Sequence, residues 1–264
     1  MAMKTLRAFQ KAIHIDFRGT ARAARRFPAF LADFRRFSRD LSSLGEAWPT
    51  EPSFPCLRDA GDVGGTASGH YFHQDLHVAQ RVFALKPEKH IDVGSRVDGF
   101  VAHVASFRTI DVLDIRPIRS NGVSAIQFRQ ADLMQLPEDL RGSTDSVSCL
   151  HALEHFGLGR YGDPIDPAGY VKGFRSLEAM LKPDGRLHLS VPVGRQRIEF
   201  NAHRIFDPNT VLSLAGPKLT CEMFSFVDDR GDFHRNVGAS DAILRGVAQL
   251  NYGCGIFEFR LQFA

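Results

Sequence analysis

The sequence contains few cysteines and no long apolar segment. The four cysteines lie far apart: Cys56, Cys149, Cys221 and Cys254. No C-x-x-C spacing therefore predicts a zinc site or a disulfide framework, and we expect thiols in a reducing compartment. No apolar segment reaches the length of a membrane-spanning helix, and charged residues interrupt the N-terminal segment that a secretion signal would require. We predict a soluble, cytoplasmic protein without a bound metal.

Positive charge is concentrated at one end of the chain. Residues 1–45 contain ten Lys or Arg and three Asp or Glu, a net charge of +7, whereas the formal net charge of the whole chain is +3. The remainder is therefore mildly acidic and would repel phosphate backbones. We expect no nucleic-acid partner.

We divide the chain into a basic helical arm with a Pro-rich connector, residues 1–60, and a main domain, residues 61–264. Apolar residues recur in the arm at steps of three and four, accompanied by arginines: Phe27, Phe30, Leu31, Phe34, Phe37 and Leu41. This spacing predicts an amphipathic helix. We favour packing of its apolar face on the main domain, and peripheral membrane contact or self-association remain alternatives.

The main domain alternates helices with short apolar strands. The predicted strands are 90–93, 109–114, 125–129, 146–151, 186–191, 219–227 and 255–263, and the predicted helices are 71–86, 100–106, 170–181 and 208–215. Alternation of this kind predicts an α/β fold with a doubly wound, mostly parallel seven-stranded sheet. We expect the last two strands to form an antiparallel edge.

Groups suited to a nucleoside cofactor follow four successive predicted strands. Gly94 follows the first strand, where glycine lets the backbone approach a ligand and the next helix offers free N–H groups. Asp114 ends the second strand, about 20 residues later, where a carboxylate can accept from ribose hydroxyls. Asp132 follows the third strand and can accept from an exocyclic amine, and His151 ends the fourth.

The order of these segments resembles the class I, seven-strand S-adenosylmethionine-dependent methyltransferases over roughly residues 85–264. The matching segments are DVGSRVDGF, VLDI, QADL, DSVSCLHALEHFG and MLKPDGRLHLSVP. The LHALEHF and LKPDGRLHLSVP segments resemble the branch that methylates small molecules, quinones and sugars. The resemblance implies S-adenosylmethionine as cofactor. It implies that Asp92 orients the glycine turn, Gly94 and Ser95 hold the methionine part, Asp114 and Ile115 bind the ribose, Asp132 and Leu133 bind the adenine, and His151 lines the site.

The glycine loop departs from the family pattern. Arg96 and Asp98 occupy the second and third of the three places where the family usually has glycine. We expect a wider loop in which Gly99 takes part, with Arg96 paired to the cofactor carboxylate. The departure also fits a non-catalytic module with a methyltransferase fold. An NAD-dependent oxidoreductase or epimerase is a further alternative, although the sequence lacks both G-x-G-x-x-G and the Tyr-x-x-x-Lys pair.

Two histidines are candidate bases for proton removal from an alcohol acceptor. His155 follows the fourth predicted strand and His203 lies in the segment after the fifth, and histidine is suited to this role near neutral pH. Glu154 is a third candidate and is expected to hold the loop in place. No Asn/Asp-Pro-Pro-aromatic tetrad or Pro-Cys follows the fourth strand, which argues against nucleic-acid methylation. Carboxylates beside aromatics after the fourth predicted strand suit a hydroxyl-rich ligand, and nearby arginines suit a phosphate or carboxylate, so we expect O-methylation of a sugar in a glycan or nucleotide-linked precursor.

Overall fold

The structure is a computed structural model that describes residues 17–44, 48–57, 64–118 and 122–262. The chain divides into two compact units, Met1–Thr66 and Ala67–Ala264. In the first unit, α1 spans Phe17–Ser43. Its half-buried residues recur every three or four positions and include Phe30 and Phe34, whereas Phe27 and Phe37 are exposed. Among the described residues, no helix combines the length and apolar character needed to cross a bilayer.

The second unit contains the other regular elements. Its strands are β1 (His90–Val93), β2 (Ile110–Asp114), β3 (Ile126–Gln130), β4 (Thr144–Leu150), β5 (Leu181–Val193), β6 (Arg197–Glu199), β7 (His203–Ile205), β8 (Leu219–Val227), β9 (Phe233–His234) and β10 (Gly253–Leu261). Its helices are α2 (His70–Leu85), α3 (Ala102–Ala105), α4 (Gly169–Met180), α5 (Pro208–Ala215) and α6 (Asp241–Val247), with a π turn at Val97–Val101 and 3₁₀ turns at Glu138–Leu140 and Leu153–His155.

Eight strands form one sheet in the order β3-β2-β1-β4-β5-β10-β8-β9. Strands β1 to β5 pair in parallel, and β10 pairs antiparallel with both β5 and β8. The predicted doubly wound, mostly parallel sheet is confirmed. The structure adds the two-residue strand β9 as an eighth strand, and it places the antiparallel strand β10 inside the sheet.

Helices cover both faces of the sheet, which explains why its central strands are apolar on both sides. One cluster of buried side chains joins the sheet to α4 and α5 through Phe174, Leu177 and Val211. The other joins it to α2 and α3 through Val82 and Val104. The two layers hold the strand ends, and the loops that follow them, in fixed positions.

The structure differs from the predicted elements at three further places after β4. The Lys182–Gly185 segment, which lies between the predicted helix 170–181 and the predicted strand 186–191, is part of β5 as a bulge, since Thr144 pairs with Leu181 and Ser146 with Arg186. Strands β6 and β7 form a separate hairpin that the sequence did not predict. The helix α6 was also not predicted.

Candidate functional site

A crevice of about 560 Å³ lies where the carboxyl ends of β1 to β4 meet. Seven residues that the sequence predicted for the site line it: Gly94, Asp114, Ile115, Asp132, Leu133, His151 and His155. Turns that are distant in sequence are therefore brought to one place, as expected for this edge of a doubly wound sheet.

Asp92, a fully buried residue of β1, stabilises the turn that follows this strand. Its carboxylate accepts hydrogen bonds from the Ser95 backbone N–H (3.1 Å), from Ser95 Oγ (2.6 Å) and from Ser148 Oγ (2.5 Å). Burial raises the pKa of Asp92 to about 6. Gly94 has a φ of 70°, and a Cβ there would lie 2.9 Å from that of Ala152. The turn therefore requires glycine at this position.

Arg96 and Gly99 lie outside the crevice. Arg96 donates two hydrogen bonds to Asp98 (3.2 and 3.0 Å), and its guanidinium lies 4.8 Å from the centre of the Tyr71 ring. A Cβ at Gly99 would overlap the carboxylate of Asp75 in α2. Gly99 therefore allows close packing of the π turn on α2. Gly99 does not line the crevice, and its part in the cofactor loop stays a prediction.

The carboxylate predicted to bind ribose is engaged by a neighbouring arginine. Asp114 is buried, and its two oxygens accept hydrogen bonds from Arg116 Nε (3.1 Å) and Nη2 (2.9 Å), while the Arg116 backbone N–H donates at 2.8 Å. The Arg116 guanidinium also lies 4.2 Å from the centre of the Tyr161 ring. Three acceptor positions of the carboxylate are therefore in use, and a ribose diol that binds both oxygens competes with the Arg116 side chain.

The third strand end supplies an apolar slot with one carboxylate. Asp132 is half-buried and its Oδ1 accepts from the Met134 backbone N–H at 2.8 Å. Leu133 and Ala152 are buried and line the same crevice. Apolar side chains beside a carboxylate suit a base that carries an amino group.

Three ionisable side chains after β4 lie next to one another in series: His151, Glu154 and His155. His151 has a φ of 51°, an uncommon value for a residue other than glycine, and its Nδ1 lies 3.1 Å from Glu154 Oε1. The same oxygen lies 3.7 Å from His155 Nε2. His155 Nδ1 donates to the Ala202 carbonyl oxygen at 2.7 Å. A carbonyl can only accept, so in neutral His155 the proton lies on Nδ1 and Nε2 carries a lone pair.

The pKa values of the two histidines in this series are shifted in opposite directions. Burial opposes protonation of His151, but the Cys254 sulfur and the Glu154 carboxylate raise its pKa above the ordinary value. Burial would raise the pKa of Glu154, and the hydrogen bond from His151 lowers it overall. Burial lowers the pKa of His155, so this imidazole is neutral at pH 7.

A second cavity, of about 900 Å³, adjoins the crevice. The two share five residues: Gly94, Arg116, His151, His155 and Tyr161. His203 lines the second cavity only, with its ring centre 5.1 Å from that of Tyr252 and its Nε2 3.8 Å from Glu199. Burial lowers the pKa of His203 as well. Both predicted bases therefore face the cavity beside the crevice.

The loop after β4 is held by groups that the sequence did not identify as structural. The Asp163 carboxylate accepts hydrogen bonds from the backbone N–H groups of Gly157 (2.7 Å), Gly159 and Tyr161, and so stabilises the conformation of the loop. The buried guanidinium of Arg204, on β7, donates to the carbonyl oxygens of Glu154 (3.2 Å), Phe156 (2.6 Å) and Pro167 (3.5 Å). The β6–β7 hairpin therefore fixes the loop that carries Glu154 and His155.

Comparisons with known proteins identify the fold. Residues 102–216 match the model of a family described as Caenorhabditis protein of unknown function, DUF268. No curated protein sequence matches the chain. The Burkholderia thailandensis 1,6-didemethyltoxoflavin-N1-methyltransferase, solved with S-adenosylhomocysteine and its substrate, is similar in structure, with a TM-score of 0.52 and 15% identity, over 78% of this chain and 83% of that one.

Two further solved structures are similar to the same extent. A putative sarcosine dimethylglycine methyltransferase from Galdieria sulphuraria has a TM-score of 0.51 and 16% identity, over 72% of this chain and 86% of that one. The [4+2]-cyclase SpnF has a TM-score of 0.51 and 16% identity, over 82% of this chain and 87% of that one. At these identities the likeness establishes the fold alone, which is the Rossmann-like fold of class I methyltransferases.

Proposed function

We propose that the protein is an S-adenosylmethionine-dependent methyltransferase that methylates a hydroxyl group of a sugar, a glycan precursor or a related small molecule. One observation supports this most strongly. Gly94, Asp114 and Asp132 converge on a single crevice, and the crevice opens beside His155 into a polar cavity. A donor nucleoside and an acceptor can therefore meet at the shared residues.

The crevice residues would bind the donor in three parts. The Gly94 turn, held by Asp92, would contact the methionine part, Asp114 the ribose and Asp132 the adenine. When bound, the sulfonium supplies an already activated methyl group. The protein then has to align the acceptor oxygen with that group and keep water away.

His155 is the base that the geometry favours. Its Nε2 is unprotonated in the neutral tautomer, and the residue belongs to the wall shared by the crevice and the second cavity. With the donor bound, the acceptor oxygen would receive the activated methyl group and S-adenosylhomocysteine would be released, while His155 Nε2 would accept the hydroxyl proton. Glu154, 3.7 Å away, stabilises the imidazolium that results.

The second cavity supports an acceptor that carries hydroxyl and anionic groups. Arg96 and Arg160 line it together with Tyr161 and Tyr252. Arginine pairs well with phosphate or carboxylate, and aromatic rings pack on the apolar face of a sugar. Among the described residues, Arg160 donates to the Ala202 carbonyl oxygen and forms no ion pair with a carboxylate. Its charge is therefore available to an anionic group of the acceptor.

A non-catalytic binding module is a second candidate, and the pair of Arg116 with Asp114 favours it. The Arg116 guanidinium is hydrogen-bonded to the Asp114 carboxylate that would bind the ribose, and this is compatible with a crevice that does not bind a nucleoside.

Calorimetric titration with S-adenosylhomocysteine separates the two candidates. We expect micromolar binding by the wild type and a loss of about 10- to 100-fold in Asp114→Asn, since hydrogen bonds to a charged group contribute about 1.5–3 kcal/mol. Asp111→Asn, on the same strand but outside the crevice, is the matched control and should bind as the wild type does. Absence of binding by folded wild-type protein would reject the methyltransferase proposal, and binding of NAD instead would favour an oxidoreductase.

A further inference from the structure

A cluster of nitrogen and sulfur donors lies beside the crevice. His70, His151 and Cys254 each offer one ligand atom, and these atoms all lie within 4.8 Å of one another. His70 begins α2, His151 follows β4 and Cys254 lies near the start of β10, so three separate elements of the second unit bring them together. The His70 and His151 ring centres are 5.4 Å apart. Rings that share a tetrahedral metal ion are about 5 Å apart at the usual bond lengths.

His151 carries the strongest indication of a missing ligand. Its side chain is only 3% exposed, and its Nε2 has no hydrogen-bond partner among the described residues. A buried polar nitrogen without a partner is costly, so each one needs a physical explanation. The other ring nitrogen, Nδ1, binds the Glu154 carboxylate at 3.1 Å. This is the carboxylate–histidine arrangement that orients metal-binding histidines, with the free Nε2 as the ligand atom.

The backbone of His151 and the position of Cys254 direct both donors to the same point. The positive φ of His151 turns its ring out of the β4 strand direction, a conformation that its surroundings must stabilise. Cys254 is fully buried between Pro192 of β5 and Val227 of β8. Its sulfur makes long contacts, 3.7 Å to Gln74 Oε1 and 3.9 Å to the Gly255 carbonyl oxygen, and it lies within 4.8 Å of the ligand nitrogen of His151.

We propose that His70, His151 and Cys254 bind one zinc ion. Two imidazoles and a thiolate are ligands that zinc prefers, and oxygen-binding cations such as Mg²⁺ and Ca²⁺ would not select them. The ligand atoms of a tetrahedral site lie about 3.3–3.6 Å apart, so the site closes with small side-chain movements from the present separations. Three protein ligands leave a fourth position for water or another oxygen.

His70 and His151 also line an open depression of the surface together with Asp229 and Tyr252, from which a fourth ligand would reach the ion. Because His151 also lines the methyl-donor crevice, a zinc ion here would lie beside the proposed reaction and fix the His151 ring. The zinc site does not depend on the proposed methyl transfer, and its test uses zinc and cobalt alone.

Metal content and binding are the first test. The full chain, stripped with a chelator and titrated with ZnCl₂, should bind one zinc per chain. His70→Ala and Cys254→Ser should each weaken binding by more than the roughly 10- to 100-fold that loss of an outer-shell partner costs. His73→Ala, one turn further along α2, and Cys221→Ser, a half-buried thiol on β8, are the matched controls and should bind as the wild type does.

Cobalt substitution identifies the ligands directly. The Co²⁺ form of the wild type should show the near-ultraviolet thiolate-to-cobalt charge-transfer band, and Cys254→Ser should lose that band while circular dichroism shows an unchanged fold. Visible bands without a thiolate contribution, or zinc binding that His70→Ala and Cys254→Ser retain at wild-type strength, would overturn the proposal and assign the metal to other histidines. No zinc binding by folded wild type would also overturn it and would leave a buried His–Cys pair.

Discussion

At the scale of single residues, one hydrogen bond decides the chemistry available to His155. Its Nδ1 donates to the Ala202 carbonyl, and the burial that lowers its pKa keeps the ring neutral at pH 7. The lone pair on Nε2 is therefore ready to accept a proton without a prior deprotonation step. A solvent-exposed histidine would be partly protonated in the same conditions.

We predict that His155→Gln lowers kcat by about 100- to 10,000-fold, the usual contribution of a general base. The affinity for S-adenosylhomocysteine should stay within a factor of two or so, since a glutamine side chain at this position keeps the shape of the wall. The lowered pKa of His155 also predicts a wild-type kcat that is flat through pH 7 and falls only below the ordinary histidine value of about 6.5. Initial rates and calorimetry measure both quantities. Unchanged kcat in the variant would remove His155 from proton transfer.

We predict that Arg116→Ala tightens binding of S-adenosylhomocysteine by up to about 10-fold. In the wild type a ribose competes with the charge-assisted hydrogen bonds of Arg116 for the Asp114 carboxylate, and in the variant it does not. Calorimetric titration measures the change. Arg129→Ala, which breaks an arginine–aspartate pair with Asp139 on the surface, is the control. Weaker binding by Arg116→Ala would show that Arg116 contacts the ligand itself.

Strand-end residues of the site were predictable, and their partners were not. Gly94 and Asp132 follow strands of the sheet and Asp114 ends one, so the topology alone predicts that they meet. Arg116 lies two residues beyond Asp114, and nothing in the sequence distinguishes a guanidinium that folds back from one that faces solvent. No sequence pattern indicated that His70 and Cys254 lie near His151, because three elements far apart in the chain meet there.

At the scale of elements, the β6–β7 hairpin supports the candidate site through Arg204. Its buried guanidinium satisfies three carbonyl oxygens of the loop after β4, and it also lies 5.0 Å from the centre of the Tyr170 ring on α4. Irregular loops need such donors, since buried carbonyl groups without partners are destabilising.

We predict that Arg204→Met lowers the free energy of unfolding by about 2–5 kcal/mol, because the apolar side chain leaves buried carbonyls unsatisfied. Urea unfolding followed by circular dichroism measures the change. Arg141→Met, which removes an exposed ion pair with Glu138, should cost less than about 1 kcal/mol. Equal losses in the two variants would show that Arg204 does not fix the loop.

Elements with a strong apolar pattern were predicted within about two residues, and short or polar elements were not. The strand β1 and the helix α5 begin and end where the sequence predicted. Strands β6 and β7 have three residues each and pair only with one another, so no periodicity reveals them. The β5 bulge was missed because Lys182-Pro183-Asp184-Gly185 has turn composition, and Asp184 does adopt a turn-like φ of 62° within the strand.

At the scale of the whole molecule, buried histidines couple stability to pH. Burial lowers the pKa of His77 and of His188 to about 4. The unfolded chain binds protons at these residues below about pH 6.5, and the folded protein does so only near pH 4. Between these values the unfolded state holds more protons, so stability must fall as the pH is lowered.

We predict that the free energy of unfolding decreases from about pH 6.5 towards pH 4, because the two lowered histidine pKa values outweigh the single raised pKa of Asp92, which acts in the opposite direction. Each histidine contributes a slope of up to about 1.4 kcal/mol per pH unit in the middle of this interval. Urea unfolding at several pH values measures the slope, and His188→Gln should make it shallower. A wild-type slope that begins only below pH 4.5 would instead assign the acid sensitivity to carboxylates.

The position of β10 has a consequence for how the protein reaches this structure. Every other strand of the sheet precedes β10 in the chain, and yet β10 lies between β5 and β8. Until it inserts, β8 and β9 have no partner in the parallel half, and the edges of β5 and β8 expose unpaired backbone groups. Among the described strands, β10 is synthesised last, and its insertion completes the sheet. We expect aggregation to begin from folding intermediates in which β10 has not yet inserted.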